Sequence, residues 1–247
     1  MKYVLGSILM LALVAASCKK NDAPASTGST SGGGNGGGSI TSSNATTFDA
    51  ILSVYDIHTV SGGTVWPVFK YSNAYFTSNA SQYPNPSIFV KVNSVALNGV
   101  QFKFQTYNYA DTTYALSFPS ATWQVSGMGS IPSFTYTNSD PMPAFSGAAS
   151  LPDTVKINQS LTVPVSTSSG FDEMTVSVSD TSSHTVAAGL ATGAGSVTIS
   201  AASLSNMVTT NSGHLVVSLT KNNIKSVNGS PMNFTTTYQY NKTVSIK

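Results

Sequence analysis

Arginine is missing from this chain of 247 residues, and glutamate occurs once, as Glu173. Without a guanidinium there is no planar fork to grip a phosphate or a guanine edge, so nucleic acid is not an expected partner. Charge of either sign is scarce: Asp, Glu, Lys and Arg together make up 8% of the residues, against about a quarter in an average soluble domain. The net charge of +2 is too small to build a steering field. Cysteine occurs once, at Cys18, which excludes an internal disulfide and a cysteine-ligated metal centre. Three histidines, His58, His184 and His214, stand far apart without metal-ligand spacing, and no cofactor or metal is expected. The leading apolar run, from Val4, is too short to span a bilayer as a stable helix.

Lys2, the apolar stretch Val4 to Val14 and the small residues Ala15-Ala16-Ser17 form the three parts of a secretory signal peptide over residues 1–17. With Cys18 immediately behind them, they resemble the lipobox of bacterial lipoproteins. That resemblance implies cleavage before Cys18, a diacylglycerol on its thiol and acylation of the new amine. Residues 18–46 are then read as a lipidated cysteine and a flexible linker, since seven glycines fall between Gly28 and Gly38 and no apolar residue recurs at regular spacing.

From Phe48 onward the pattern is that of half-buried strands. Phe48, Ala50, Leu52 and Val54 alternate with polar neighbours, and similar runs recur to Ile246. Asn98-Gly99 is the strongest hairpin signal, with Ser61-Gly62-Gly63 and Asn228-Gly229 behind it. Only Ala201 to Met207 looks helical. The chain is therefore predicted to be all-β. Prolines 141, 143 and 152 interrupt strand-like sequence and suggest a division into an N-terminal β-sandwich over 47–145 and an immunoglobulin-like sandwich over 146–247.

The opening Met-Lys, Ser17-Cys18-Lys19-Lys20-Asn21-Asp22, the Ser/Gly tether and the β-rich body are similar to lipoproteins of the Bacteroidota. So is the stretch Trp123-Gln124-Val125-Ser126-Gly127, with Ile131-Pro132, Phe145 and Leu151-Pro152-Asp153. The resemblance implies an outer-membrane, cell-surface protein anchored through its N-terminal lipid. It also implies O-glycosylation at Asp-Thr motifs, for which Thr112 and Thr154 qualify.

Candidate chemistry is thin. Asp56 and His58, two apart on a predicted strand, share a face, so the carboxylate can fix the imidazole tautomer as in a hydrolase triad. No Gly-x-Ser-x-Gly elbow accompanies them, and a surface pair at a strand end is the reading the sequence favours over a triad. Asp172-Glu173 offers too few oxygens for calcium. The stretch Trp66 to Pro86 gathers aromatics among Asn, Gln and Ser, at spacings that fit neither a clean strand nor a helix. Read as a loop, it suits sugar binding, with rings on the apolar face of a pyranose and amides on its hydroxyls. The candidate contacts are Trp66, Tyr71, Tyr75, Phe76 and Tyr83. The same residues also suit a domain's own core. Tyr107 with Tyr109, and Tyr238 with Tyr240, each place two rings on one strand face and suggest a further contact surface. Trp123 reads as core.

These features predict a non-enzymatic surface lipoprotein engaged in binding or adhesion, with a glycan as the ligand. The alternative is a scaffold lipoprotein that pairs with envelope proteins. A hydrolase using Asp56 and His58 is a third and more distant reading.

Overall fold

The computed structural model describes residues 39–82, 84, 86–111, 120–166, 168–191 and 195–247. It is all-β. In chain order the strands are β1 (Ile40–Ser42), β2 (Phe48–Ser61), β3 (Thr64–Ser81), β4 (Ser94–Leu97), β5 (Val100–Gln101), β6 (Lys103–Phe104), β7 (Tyr109–Ala110), β8 (Ala121–Ser126) and β9 (Phe134–Asn138). They continue as β10 (Ala144–Phe145), β11 (Thr154–Val155), β12 (Leu161–Pro164), β13 (Ser168–Ser169), β14 (Glu173–Ser179), β15 (Thr185–Ala191), β16 (Ser196–Ile199), β17 (Thr210–Val227) and β18 (Ser230–Ile246). The predicted helical stretch is one turn, Ala201–Leu204, capped by the Ser200 hydroxyl, which accepts from the Ser203 N–H.

Tight turns join β4 to β5, β17 to β18 and β2 to β3. Asn98 and Gly99 (φ 50° and 81°) and Asn228 and Gly229 (φ 52° and 89°) take positive φ at both central positions, as two-residue hairpins with right-handed twist require. Gly62 and Gly63 do the same between β2 and β3. The central sheet runs β15-β14-β17-β18-β2-β3-β7-β6, with β1 beside the end of β17 and β11 beside the end of β18.

This sheet crosses the predicted division at 145/146. β2 lies parallel to β18, from Ala50 beside Met232 to Val60 beside Lys242, so strands from the two ends of the chain are neighbours. Two hydrophobic cores sit on one and the same face of the sheet, because alternate residues of each long strand turn inward together. The first joins Ala50, Leu52, Phe76, Met232 and Phe234 to the sheet β5-β4-β8-β9, including Leu97, Trp123 and Phe134. The second joins Val60, Met174, Val176, Val217 and Tyr240 to the pair β12-β16 through Val163, Val197 and Ile199, and to Phe145 and Leu151. Each core draws on residues from both sides of 145/146.

Two further expectations are corrected. Part of the predicted linker is ordered: Ile40–Ser42 pairs with Lys225–Val227, and Ile40 packs on the first core. The predicted aromatic loop is for the most part strand β3. Its spacing looked irregular because the pairing with β2 shifts between Ile57, which faces Phe69, and His58, which faces Pro67. Val68 is the extra residue of this bulge. Inward positions are therefore odd before it (Val65, Pro67) and even after it (Lys70, Ser72, Ala74, Phe76), which breaks the period of two.

Candidate functional site

Residues paired across adjacent strands share a face, so the register gives the sheet's outer side directly. Trp66 of β3 is level with Thr59 of β2, Asn241 of β18, Val216 of β17 and Ser177 of β14. Phe69 heads the next row, with Ile57, Gln239, Ser218 and Thr175, and Tyr71 the third, with Tyr55, Thr237, Thr220 and Glu173. None of these residues belongs to either hydrophobic core.

The polar groups of these rows bond to one another. Gln239 Nε2 donates to Asn241 Oδ1 at 2.8 Å, and the hydroxyls of Thr220 and Thr237 lie 3.1 Å apart. Tyr55 and Tyr71 pack with ring centroids 5.7 Å apart, and the Tyr71 hydroxyl accepts from Asn73 Nδ2. Burial raises the Tyr55 pKa, partly offset by a Ser53 hydrogen bond and reinforced by Tyr71, so its phenol stays a neutral donor.

Of the predicted glycan contacts, Trp66 is 58% exposed at the sheet margin and Tyr71 is half-buried on the outer face. Phe76 is fully buried in the first core, edge-on to Tyr109, and Tyr75 is 3% exposed beside Phe89 and Tyr107. Neither ring offers a face to a ligand, because the far half of β3 is packed on both sides. Tyr83, Thr112 and Cys18 lie outside the described residues. Thr154 is half-buried on β11. Tyr55, Gln239 and Asn241 join the outer face without having been singled out as contacts. The signal for Tyr55 was its odd position in the alternation of β2.

The tyrosine pairs differ from expectation. Tyr238 and Tyr240 do share a face, but it is the inward one, and Tyr240 meets Phe145 edge-on at 5.6 Å. Tyr109 is also buried, donating to the Val92 carbonyl and accepting from its N–H, while Tyr107 is 40% exposed. Trp123 is 1% exposed in the first core.

Asp56 and His58 also turn inward, into a polar seam between the two cores. His58 Nε2 is 2.8 Å from Asp56 Oδ1, and Lys70 Nζ is 3.8 Å from Asp56 Oδ2. The imidazole packs against Tyr238, nearly parallel at 4.4 Å, and Tyr240 at 5.8 Å, in a triangle of rings whose tyrosines are themselves 5.1 Å apart, and its buried Nδ1 has no hydrogen-bond partner. Burial, with the Asp56 and Tyr240 charges adding to it, pushes the Tyr238 pKa up to about 12. The inward serine of β3, Ser72, is level with Val54, four residues along β2 from His58, or roughly 13 Å at strand rise. It is not placed to give its proton to that ring. The seam continues through Asn223, whose amide donates to Asn138 Oδ1 and Asp140 Oδ2. Two surface hollows, of about 210 and 130 Å³, lie elsewhere, the first over Gln101, Gln124 and Thr135 and the second around Pro152, Lys156 and Gln159.

Asp172, Asp180 and Asp153 make structural contacts. Asp172 binds Lys221 Nζ and the Asn222 N–H, both at 2.8 Å. Asp180 accepts from the N–H groups of Ser182, His184 and Val208 and faces His184 Nδ1 at 2.9 Å, closing the β14–β15 turn. Asp153 meets Lys242 at 2.9 Å. Among the described residues no group of three or more His, Cys, Asp or Glu is arranged to hold a metal ion.

Comparison with protein-family models, with curated proteins and with solved structures finds no match in any of the three.

Proposed function

We propose that this protein is a non-enzymatic binding lipoprotein of the Bacteroidota type, held at the outer membrane through Cys18 and displayed at the cell surface, and that it binds glycan on the outer face of its central sheet. The observation that carries this reading is the row headed by Trp66: a ring 58% exposed, on the same face as Tyr71, Gln239 and Asn241. An aromatic platform beside amides and hydroxyls meets both the apolar and the polar sides of a sugar. The strand order β11-β18-β17-β14-β15 facing β12-β16 supports the immunoglobulin-like reading of residues 146–247, now sharing its sheet with the preceding segment.

The scaffold alternative draws on the margin of β3, where Thr64–Val68 pairs with no further strand among the described residues. Pro67 has no N–H to offer an added strand, and the bulge at Val68 breaks the run of ladder groups. These features favour binding through side chains over edge pairing. The hydrolase reading is weakened by the burial of Asp56 and His58, each 8% exposed, with the imidazole packed against Tyr238 and Tyr240.

The test is a glycan-array screen of the full chain in detergent beside Trp66→Ala and Tyr71→Ala. A specific signal lost in folded variants is expected. A signal that survives both substitutions removes this face as the site.

A further inference from the structure

The central sheet separates its charges in an unusual direction. A sheet covered on one side ordinarily puts apolar residues inward and charged residues toward solvent. Here Lys70, Lys221 and Lys242 of the long strands turn to the core-bearing side, where each meets a carboxylate: Asp56, Asp172 and Asp153. Lys242 is 4% exposed. In the three outer rows from Trp66 to Tyr71, Glu173 on β14 is the one charged residue, four strands away from Tyr71. The rows between them carry hydroxyls, amides, aliphatic groups and aromatic rings; Ile57, Thr237, Ser177 and Val216 are buried among their neighbours, and Trp66, Phe69, Tyr71, Ser218, Gln239 and Asn241 keep accessible surface.

Such a face offers no counter-charge to a sulfate, phosphate or uronate, and desolvating an anion against it is unfavourable. It matches a ligand that is itself uncharged and rich in hydroxyls, since each Thr, Ser, Asn and Gln both donates and accepts. The five strands from β3 to β14 span roughly 19 Å at the usual strand spacing, which fits an extended oligosaccharide better than a single sugar. We propose that the occupant of this face is an uncharged polysaccharide chain lying across the strands, with one sugar ring on Trp66 and its hydroxyls on the Gln239–Asn241 amides. This rests on the reading that the outer face binds glycan and names the class of glycan.

The experiment is affinity electrophoresis of the full chain in detergent through gels containing a neutral β-glucan, a neutral mannan or polygalacturonate, at low and high salt, with Trp66→Ala, Gln239→Ala and Gln239→Lys alongside. Thermal unfolding of each variant establishes that it is folded. The expected result is retardation by a neutral polymer that salt does not change and that Trp66→Ala and Gln239→Ala weaken by about tenfold or more. Retardation by polygalacturonate alone, lost in high salt and strengthened by Gln239→Lys, overturns the uncharged class while leaving glycan binding in place. Retardation by none of the three polymers, together with a blank glycan array, overturns both. A concentration-dependent dimer abolished by Trp66→Ala overturns the proposal in favour of a second copy of this chain as the occupant.

Discussion

The imidazole of His58 lies 4.4 Å from the ring of Tyr238 and within 16° of parallel to it, while its Nε2 is held at 2.8 Å by Asp56. Parallel β2 and β18 create this stack by setting Asp56 beside Tyr238 and His58 beside Tyr240. The pair that looks like part of a triad in the sequence thus serves as a polar joint between two cores.

Asp56→Ala leaves the buried His58 Nε2 without its acceptor. A loss of about 1–3 kcal/mol in urea unfolding is expected, with glycan binding unchanged in the folded variant. A variant as stable as wild type would show that the pair does not hold the seam.

Trp66 and Phe76 belong to the same strand and should respond oppositely. Trp66→Ala, at an exposed margin, is expected to alter stability by no more than about 0.5 kcal/mol. Phe76→Ala, in a fully buried site, should cost about 3–5 kcal/mol. Denaturant midpoints of the two variants check the contrast, and a cooperative destabilisation by Trp66→Ala would assign that ring to the core.

Burial alone would raise the pKa of Asp180, but hydrogen bonds from the Val208 N–H, the His184 ring and the N–H groups of His184 and Ser182 outweigh it and hold the carboxyl at about 2. A folded-state pKa below the unfolded one contributes stability that is complete above the unfolded value, about 4, and fades as pH falls toward 2. Asp180→Asn should lower stability at neutral pH by on the order of 2 kcal/mol and flatten the dependence between pH 4 and 2. Thermal melts across that window measure it, and an unchanged slope would remove Asp180 from the acid response.

If Cys18 carries the anchor, Cys18→Ala should take up no labelled fatty acid and should leave the membrane fraction. Continued labelling would defeat the anchor proposal.

Local pattern made much of this architecture legible. The alternation from Ala50 to Val54 and the Asn-Gly turns at 98–99 and 228–229 correspond to strands and hairpins of the structure. Pairings between distant parts of the chain were not legible. Nothing near Phe48 announces that its strand will lie beside β18, and the division at 145/146 was drawn from prolines that interrupt strands without separating sheets. At the proposed site, composition alone points to Trp66 and Tyr71. Tyr75 and Phe76 were included because a bulge at Val68 disguised β3 as a loop, and alternation cannot tell which side of a strand another sheet will cover. Gln239 and Asn241 enter the proposed site only with the structure, because their rank beside Ile57 and Thr59 exists only once the parallel register is set.

The position of β1 bears on how the molecule withstands force. The Ser39 carbonyl accepts the Asn228 N–H, and Ile40–Ser42 lies antiparallel to the end of β17, so residue 39 sits at the pole marked by the 228–229 turn. Trp66 stands near the opposite pole, beside the Gly62–Gly63 turn, with Ala50 to Val60 between them. If Trp66 holds the proposed ligand, traction between it and residue 39 is directed along the strands. It would load the ladders of β2 with β3 and β18 in shear, with many hydrogen bonds sharing the stress at once, whereas a sideways pull would unzip them one by one.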